Sequence, residues 1–219
     1  MNDVDLIALV QPLSKQSPAR LVALVAALRD IDRRDIAGAV VECGVWRGAS
    51  AIIAKSVSPL RTCWLYDTFD GMTAPNPDVD ISHLGRSAAD SYAWKQARGE
   101  KWSPAPFAEV VRNLAQFGIK SGVEFVVGDV AETLTARRPR LPERIALLRL
   151  DTDFYASTAI ELKVLYPRLE SGGVLIIDDY GHWLGCRRAV NEFFNFQPFD
   201  IWHWSRFTQI DPTAVMMIK

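Results

Sequence analysis

The stretch AGAVVECGVWRGAS, residues 37–50, decides how the rest of the chain reads. Ala39 to Cys43 is a short apolar run broken only by one acid, Glu42, and it predicts a buried strand. Gly44 and Gly48 follow at once. Glycine there lets the backbone turn tightly and lets a ligand or the next helix approach closely. A helix is expected over ASAIIAKSV, residues 49–57. A buried strand, a glycine turn and a helix form the opening unit of a parallel α/β sheet.

The same alternation repeats outward. Upstream, SPARLVALVAALRD (17–30) is a helix with Ser17 as N-cap and Pro18 in its first turn. Downstream, strands are expected in TCWLYD (62–67), EFVVGD (124–129), RIALLRLD (144–151) and GGVLIIDD (172–179). The helices between and after them are PFAEVVRNLAQFG (106–118), STAIELKVLYPRLE (157–170) and CRRAVNEFFNF (186–196). DIWHW (200–204) and TAVMMIK (213–219) are strand-like. Such a chain predicts an α/β fold with helices on both faces of the sheet, in which ligands bind beyond the carboxyl ends of the strands. Its 219 residues suit a single domain over 1–219, with an N-terminal helical segment, 1–35, and an insertion, 71–103. That insertion is rich in proline and glycine, and its Trp94 and Trp102 favour a lid folding over a ligand. Trp202 and Trp204 are further candidates to line a pocket.

Composition narrows the function classes. Hydrophobic residues make up 49% and charged residues 23%, with a formal net charge of -1. No general basic field draws nucleic acid or an anionic membrane. Cys43, Cys63 and Cys186 lack metal-ligand spacing and do not form a disulfide framework, which suits a reducing cytosol. Asp3 and Asp5 stand where a signal peptide would be basic, and no apolar run could span a bilayer. The expected setting is cytoplasmic.

Acids close five successive strands: Glu42, Asp67, Asp129, Asp151 with Asp153, and Asp178 with Asp179. There is neither a GxGxxG fingerprint nor a P-loop. Glu42 suits an amino acid ammonium, Asp67 suits the two hydroxyls of a ribose, and Asp129 suits the exocyclic amine of a base. Amine, ribose and adenine together describe S-adenosylmethionine.

With LYDTFDGM (65–72), LRLDTDFYAST (148–158) and IIDDYGHWLGCRRAVNEFF (176–194), residues 17–50 resemble the macrocin O-methyltransferase family over most of the chain. The resemblance implies a Rossmann-like class I methyltransferase fold: a seven-stranded, mostly parallel sheet with its last strand antiparallel. It also implies S-adenosylmethionine and a divalent cation, usually Mg2+, with methylation of sugar hydroxyls on natural products. Glu42, Gly44, Asp67 and Asp129 map to cofactor-contacting positions of that family. The family forms oligomers, so a dimer is expected, with residues 1–16 available to pack on a partner subunit.

Alternate residues on a strand share a face, so a persisting strand would point Asp151 and Asp153 the same way. Carboxylates converging with Asp178 and Asp179 repel one another unless a hard cation neutralises them, and all-oxygen ligation suits Mg2+ or Mn2+. The expected ligands are mainly Asp151, Asp178 and Asp179, with Asp153 the general base and also a ligand. The family carries Gly where this chain has Thr152, which puts the local backbone geometry in question. His182 is a turn histidine that more often supports than binds. Asp178 and Asp179 could instead cap the following helix. A metal-dependent glycosyltransferase using the Asp-x-Asp motif, and a non-catalytic S-adenosylmethionine-binding module, are the alternative readings.

Overall fold

In the computed structural model the described residues are 2–196 and 206–219; Trp202, Trp204 and the DIWHW segment lie outside them. The chain runs α1 (Asp3–Val10), α2 (Pro18–Arg33), β1 (Ala39–Cys43), α3 (Ala49–Val57) and β2 (Cys63–Asp67). It continues with α4 (Ala88–Ala97), α5 (Phe107–Gln116), β3 (Val123–Val127), α6 (Val130–Thr133), β4 (Ile145–Leu150) and α7 (Tyr155–Leu165). It closes with β5 (Leu169–Ile177), α8 (Leu184–Phe194), β6 (Thr208–Gln209) and β7 (Val215–Ile218).

The seven strands lie in the order β3-β2-β1-β4-β5-β7-β6. Neighbours from β3 to β5 pair in parallel, and β7 runs antiparallel to β5 and to β6. This is the seven-stranded Rossmann-like arrangement expected. The strand order reverses between β1 and β4, so a crevice opens at their carboxyl ends.

Strand alternation divides the core in two. Val40, Leu65, Leu147 and Ile176 pack with α1, α2, α3 and α5 on one face. Val41, Tyr66, Leu148, Leu175 and Ile177 pack with α7 and α8 on the other. The N-cap of α2 is as read from the sequence: the Ser17 side chain accepts from the Arg20 backbone N–H. Three elements escaped the sequence reading: α4, inside the insertion, the four-residue α6 and the two-residue β6. The helix α1 buries Leu6 and Val10 in the chain's own core, so this segment does not offer those residues to a partner. Its mixed run DVDLIALV gives a weak amphipathic pattern.

The insertion is tied to the domain. Asp80, 1% exposed, accepts from the backbone N–H of Tyr155 at 2.8 Å and of Asn76 at 2.7 Å. Ser82 also bridges to Trp183. Asp80 therefore supplies the first turn of α7 with the acceptor that its own N-cap, Phe154, lacks. Trp94 sits on α4, is 57% exposed and does not line the cleft described below, whereas Trp102 does. Among the described residues no helix is long and apolar enough to cross a membrane. All three cysteines are buried and unpaired.

Candidate active site

A cleft of about 430 Å³ opens at the β1/β4 switch point. Its floor is the acidic strand ends; its walls come from the glycine turn, the segment before α2, both ends of the insertion, and the loops after β4 and β5.

The turn after β1 is built by two contacts. Gly44 has φ +85°, and a Cβ there would lie 2.0 Å from the Asp151 carbonyl oxygen. The strands β1 and β4 touch backbone to backbone at this point, which only glycine permits. Asp67 then clamps the turn. Its Oδ2 accepts from the backbone N–H of Val45 at 2.6 Å and of Trp46 at 3.0 Å, and its Oδ1 accepts from that of Phe69 at 2.7 Å. A carboxylate has about four lone-pair sites, so about one remains for a ligand. Gly44→Ala is expected to destabilise the fold by about 2–3 kcal/mol, from strain at positive φ and the backbone clash. Urea denaturation measures this, and a loss below about 1 kcal/mol would show that the two strand ends can separate.

Beneath the floor lies a group the sequence reading missed. Arg149, on β4, is 2% exposed. Its Nη1 donates to Glu42 at 2.5 Å; its Nη2 reaches Asp151 at 2.7 Å and Asp178 at 2.9 Å. Arg20, from α2, holds Asp178 at 2.7 Å and Asp211 at 2.7 Å. The signal was present: one arginine inside the apolar run IALLRL. Strand parity accounts for the grouping, because Glu42, Arg149 and Asp178 all continue the α2/α3 face of the sheet.

Glu42 thus lies under Arg149 rather than in the cleft wall. Burial pushes its carboxyl up to about 7, against the pull of Arg149. The ammonium role expected for Glu42 is not supported by this placement, because Glu42 is buried outside the cleft lining and its Oε1 already accepts from Arg149. Asp129 does line the cleft, and its Oδ1 caps α6 by accepting from Ala131 N–H at 2.7 Å.

The four strand-end aspartates separate into three and one. One oxygen from each of Asp151, Asp153 and Asp179 lies within 4.8 Å of the others. Asp178, expected among the ligands, instead gives its Oδ2 to both arginines. Its neighbour Asp179 points the opposite way, and Asp179 Oδ2 is buried without a hydrogen-bond partner. Asp153 does not reach the group as a continuing strand: β4 ends at Leu150, and Asp153 has φ +69°. The left-handed residue is therefore Asp153 itself, and Thr152 is free of that strain; its hydroxyl donates to the buried Glu161 at 2.8 Å. Neither Asp178 nor Asp179 caps α8 with its side chain, since that helix starts at Leu184 with Trp183 as N-cap.

The trio carries more negative charge than its surroundings balance. Burial, then repulsion from Asp151, pushes the Asp153 carboxyl up to about 7. Burial likewise raises Asp179, aided by Asp153 and Asp178. Asp151 is raised chiefly by burial, against Arg149. Above the trio stands an aromatic wall of Trp102, Phe154 and Trp183, with ring centroids 5.6–6.3 Å apart. His182 lines the cleft next to this wall; burial lowers its pKa, helped by His83.

The family model for macrocin O-methyltransferase (TylF) matches residues 13–219. The chain belongs to this family. Mycinamicin III 3''-O-methyltransferase of Micromonospora griseorubida is 35% identical over 176 residues, 77% of this chain and 63% of that protein. Demethyldecarbamoylnovobiocin O-methyltransferase of Streptomyces niveus is 32% identical over 185 residues, 80% and 64% of the two chains. The chain thus spans slightly under two thirds of these curated relatives. The O-methyltransferase NovP superposes with a TM-score of 0.75 at 27% identity, covering 94% of this chain and 82% of that one. The calicheamicin methyltransferase CalS11, at 17% identity and a TM-score of 0.59, shares the fold. In this macrocin O-methyltransferase family member the site sits where a doubly wound sheet holds a nucleotide-like ligand.

Proposed function

We propose that this chain transfers the methyl group of S-adenosylmethionine to a hydroxyl of a sugar or glycosylated natural product, with the help of a divalent cation. The observation that carries the reading is the convergence of Asp151, Asp153 and Asp179 on one edge of the cleft. The donor set fits a hard cation: it is all oxygen, with mutual repulsion and an unpartnered buried oxygen on Asp179. Bound there, Mg2+ or Mn2+ would supply Lewis acidity, lowering the pKa of an acceptor hydroxyl. Asp151 and Asp179 are the ligands this geometry favours, while Asp178 acts through Arg20 and Arg149.

The chain's own residues do the rest. Asp153 takes the proton from the acceptor oxygen as that oxygen bonds to the methyl carbon. The sulfur–methyl bond breaks and S-adenosylhomocysteine leaves. The turn at Gly44, with Asp67 and Asp129, forms the cofactor wall. Trp102, Phe154 and Trp183 offer an apolar face to a sugar ring and exclude water. Residues 71–103 act as the lid that sets acceptor choice. The glycosyltransferase alternative rests on Asp-x-Asp alone and leaves Asp179 unused. A cytoplasmic dimer is the state we infer for the whole protein.

The test is methyl transfer from S-adenosylmethionine to a panel of glycosides with Mg2+ or with EDTA, read by mass spectrometry. No methyl gain on any sugar or diol would sink the assignment.

The acid trio also predicts a pH effect. A carboxyl raised in the folded state contributes stability that is fully present below its ordinary value and is lost as pH rises. For Asp153 that loss runs from the ordinary 3.8 through about 7. A cation competes with those protons. With EDTA, Tm is therefore expected to fall between about pH 5.5 and 8, and Mg2+ should raise it more at the higher pH. Equal Mg2+ shifts at both pH values in thermal denaturation would remove the trio as the binding site.

A further inference from the structure

Among the described residues three Lys or Arg side chains line the cleft: Lys15, Arg20 and Arg149. Arg20 and Arg149 are committed to carboxylates. Lys15 is not. No carboxylate of the described residues stands within 4.0 Å of its Nζ, and its hydrogen bond goes to the Ser103 hydroxyl.

This lysine is nevertheless held in place. It lies on the segment between α1 and α2, and its Nζ is 4.6 Å from the ring centroid of Trp46. Next to it, Gln16 Nε2 donates to Ser50 Oγ at 2.7 Å, which pins the segment to α3. Arg47 covers the same indole at 5.0 Å but is paired with Glu109 at 2.9 Å. Lys15 is therefore an exposed cation at the rim of the cleft without an ion partner among the described residues, fixed where the N-terminal segment, the glycine turn and the end of the insertion meet. Burial lowers its pKa, and the acids that oppose this are Asp153 and Asp151, at the acceptor end of the cleft.

We propose that Lys15 is a specificity residue that binds an anionic oxygen, carboxylate or phosphate, carried by the acceptor near the hydroxyl to be methylated. Acidic sugars are then the favoured acceptors over neutral ones. The proposal rests on the sugar O-methyltransferase reading above and deepens it. An ammonium beside an aromatic face, at the joint between fixed wall and insertion, reads charge on a ligand without entering the transfer chemistry.

The test compares a methyl glucuronide, glucose 1-phosphate and a methyl glucoside. Each is assayed for turnover and, independently, for binding by calorimetry to the protein loaded with S-adenosylhomocysteine and Mg2+. The wild-type protein is expected to favour one acid over the glucoside by about tenfold or more. Lys15→Met, which keeps the aliphatic stem, should cut that preference by about tenfold through KM and Kd, and Lys15→Arg should retain most of it. Preference for the uronide alone or the sugar phosphate alone identifies the anion. Affinity for S-adenosylhomocysteine should change by less than about twofold in Lys15→Met. An equal acid-to-neutral ratio in wild type and Lys15→Met overturns the proposal. So does weakened S-adenosylhomocysteine binding with an unchanged ratio, which would place Lys15 on the cofactor carboxylate. Neutral sugars methylated without acid preference would leave the enzymatic reading standing while removing this one. If no sugar is methylated, the enzymatic reading fails, and the calorimetry still decides the anion site.

Discussion

Asp153→Asn should lower kcat by about 10²–10⁴-fold, the usual contribution of a general base, with S-adenosylhomocysteine affinity changed by less than about twofold. The amide matches the carboxylate in size and tolerates the left-handed backbone of this position, so the wall of the cleft stays in place. What it loses is the ability to take a proton. Asp153 is the member of the trio best suited to that work. It makes no ion pair within 4.0 Å among the described residues, and without a cation burial raises its carboxyl to about 7. Asp151, by contrast, is tied to Arg149 at 2.7 Å. Single-turnover kinetics with calorimetric binding separates the possibilities. If Asp153→Asn turns over at the wild-type rate, proton transfer belongs elsewhere. If instead S-adenosylhomocysteine affinity collapses with it, Asp153 shapes the cofactor site rather than the reaction.

Arg149→Leu should cost about 3–5 kcal/mol of stability, the range for breaking a buried ion network by removing one partner. The side chain is 2% exposed and touches three carboxylates on three adjacent strands, β1, β4 and β5. Its removal leaves Glu42 buried with its charge uncompensated, at 3% exposure. Lys in its place cannot bond all three acids at once, so Arg149→Lys should recover little. The double variant Arg149→Leu/Glu42→Gln should be more stable than Arg149→Leu alone, because it removes one of the stranded charges. Urea denaturation of the three variants is the measurement. A double variant no better than the single one would mean that Glu42 is not the acid Arg149 neutralises.

Much of this molecule is legible in the residues themselves. The β1 strand at Ala39–Cys43 and the α3 helix at Ala49–Val57 follow from an apolar run, a glycine turn and helical periodicity, all local signals. The acids also announce their position, because a strand that ends in a carboxylate places it at the sheet's edge whatever the tertiary contacts. Shorter or mixed elements are less visible. The helix α6 spans only four residues, and Asp129 before it reads equally well as a ligand group or a cap.

The division of labour among the acids is a different matter. Asp178 and Asp179 are neighbours of one residue type, yet strand alternation sends one to Arg20 and Arg149 and the other to the trio. Which face holds arginines depends on α2 packing against the sheet, which no local pattern encodes. Glu42 has the residue type of a ligand group, but Arg149, 107 residues away in sequence, bonds its Oε1 beneath the cleft. Asp153 joins Asp179 through a left-handed backbone that follows the end of β4. The sequence alone determined the sheet, its glycine turn and the row of acids, because those follow from local periodicity. Only the tertiary structure decided which acids are neutralised and which remain open to a cation, because pairing of buried charges depends on distances between segments far apart in the chain.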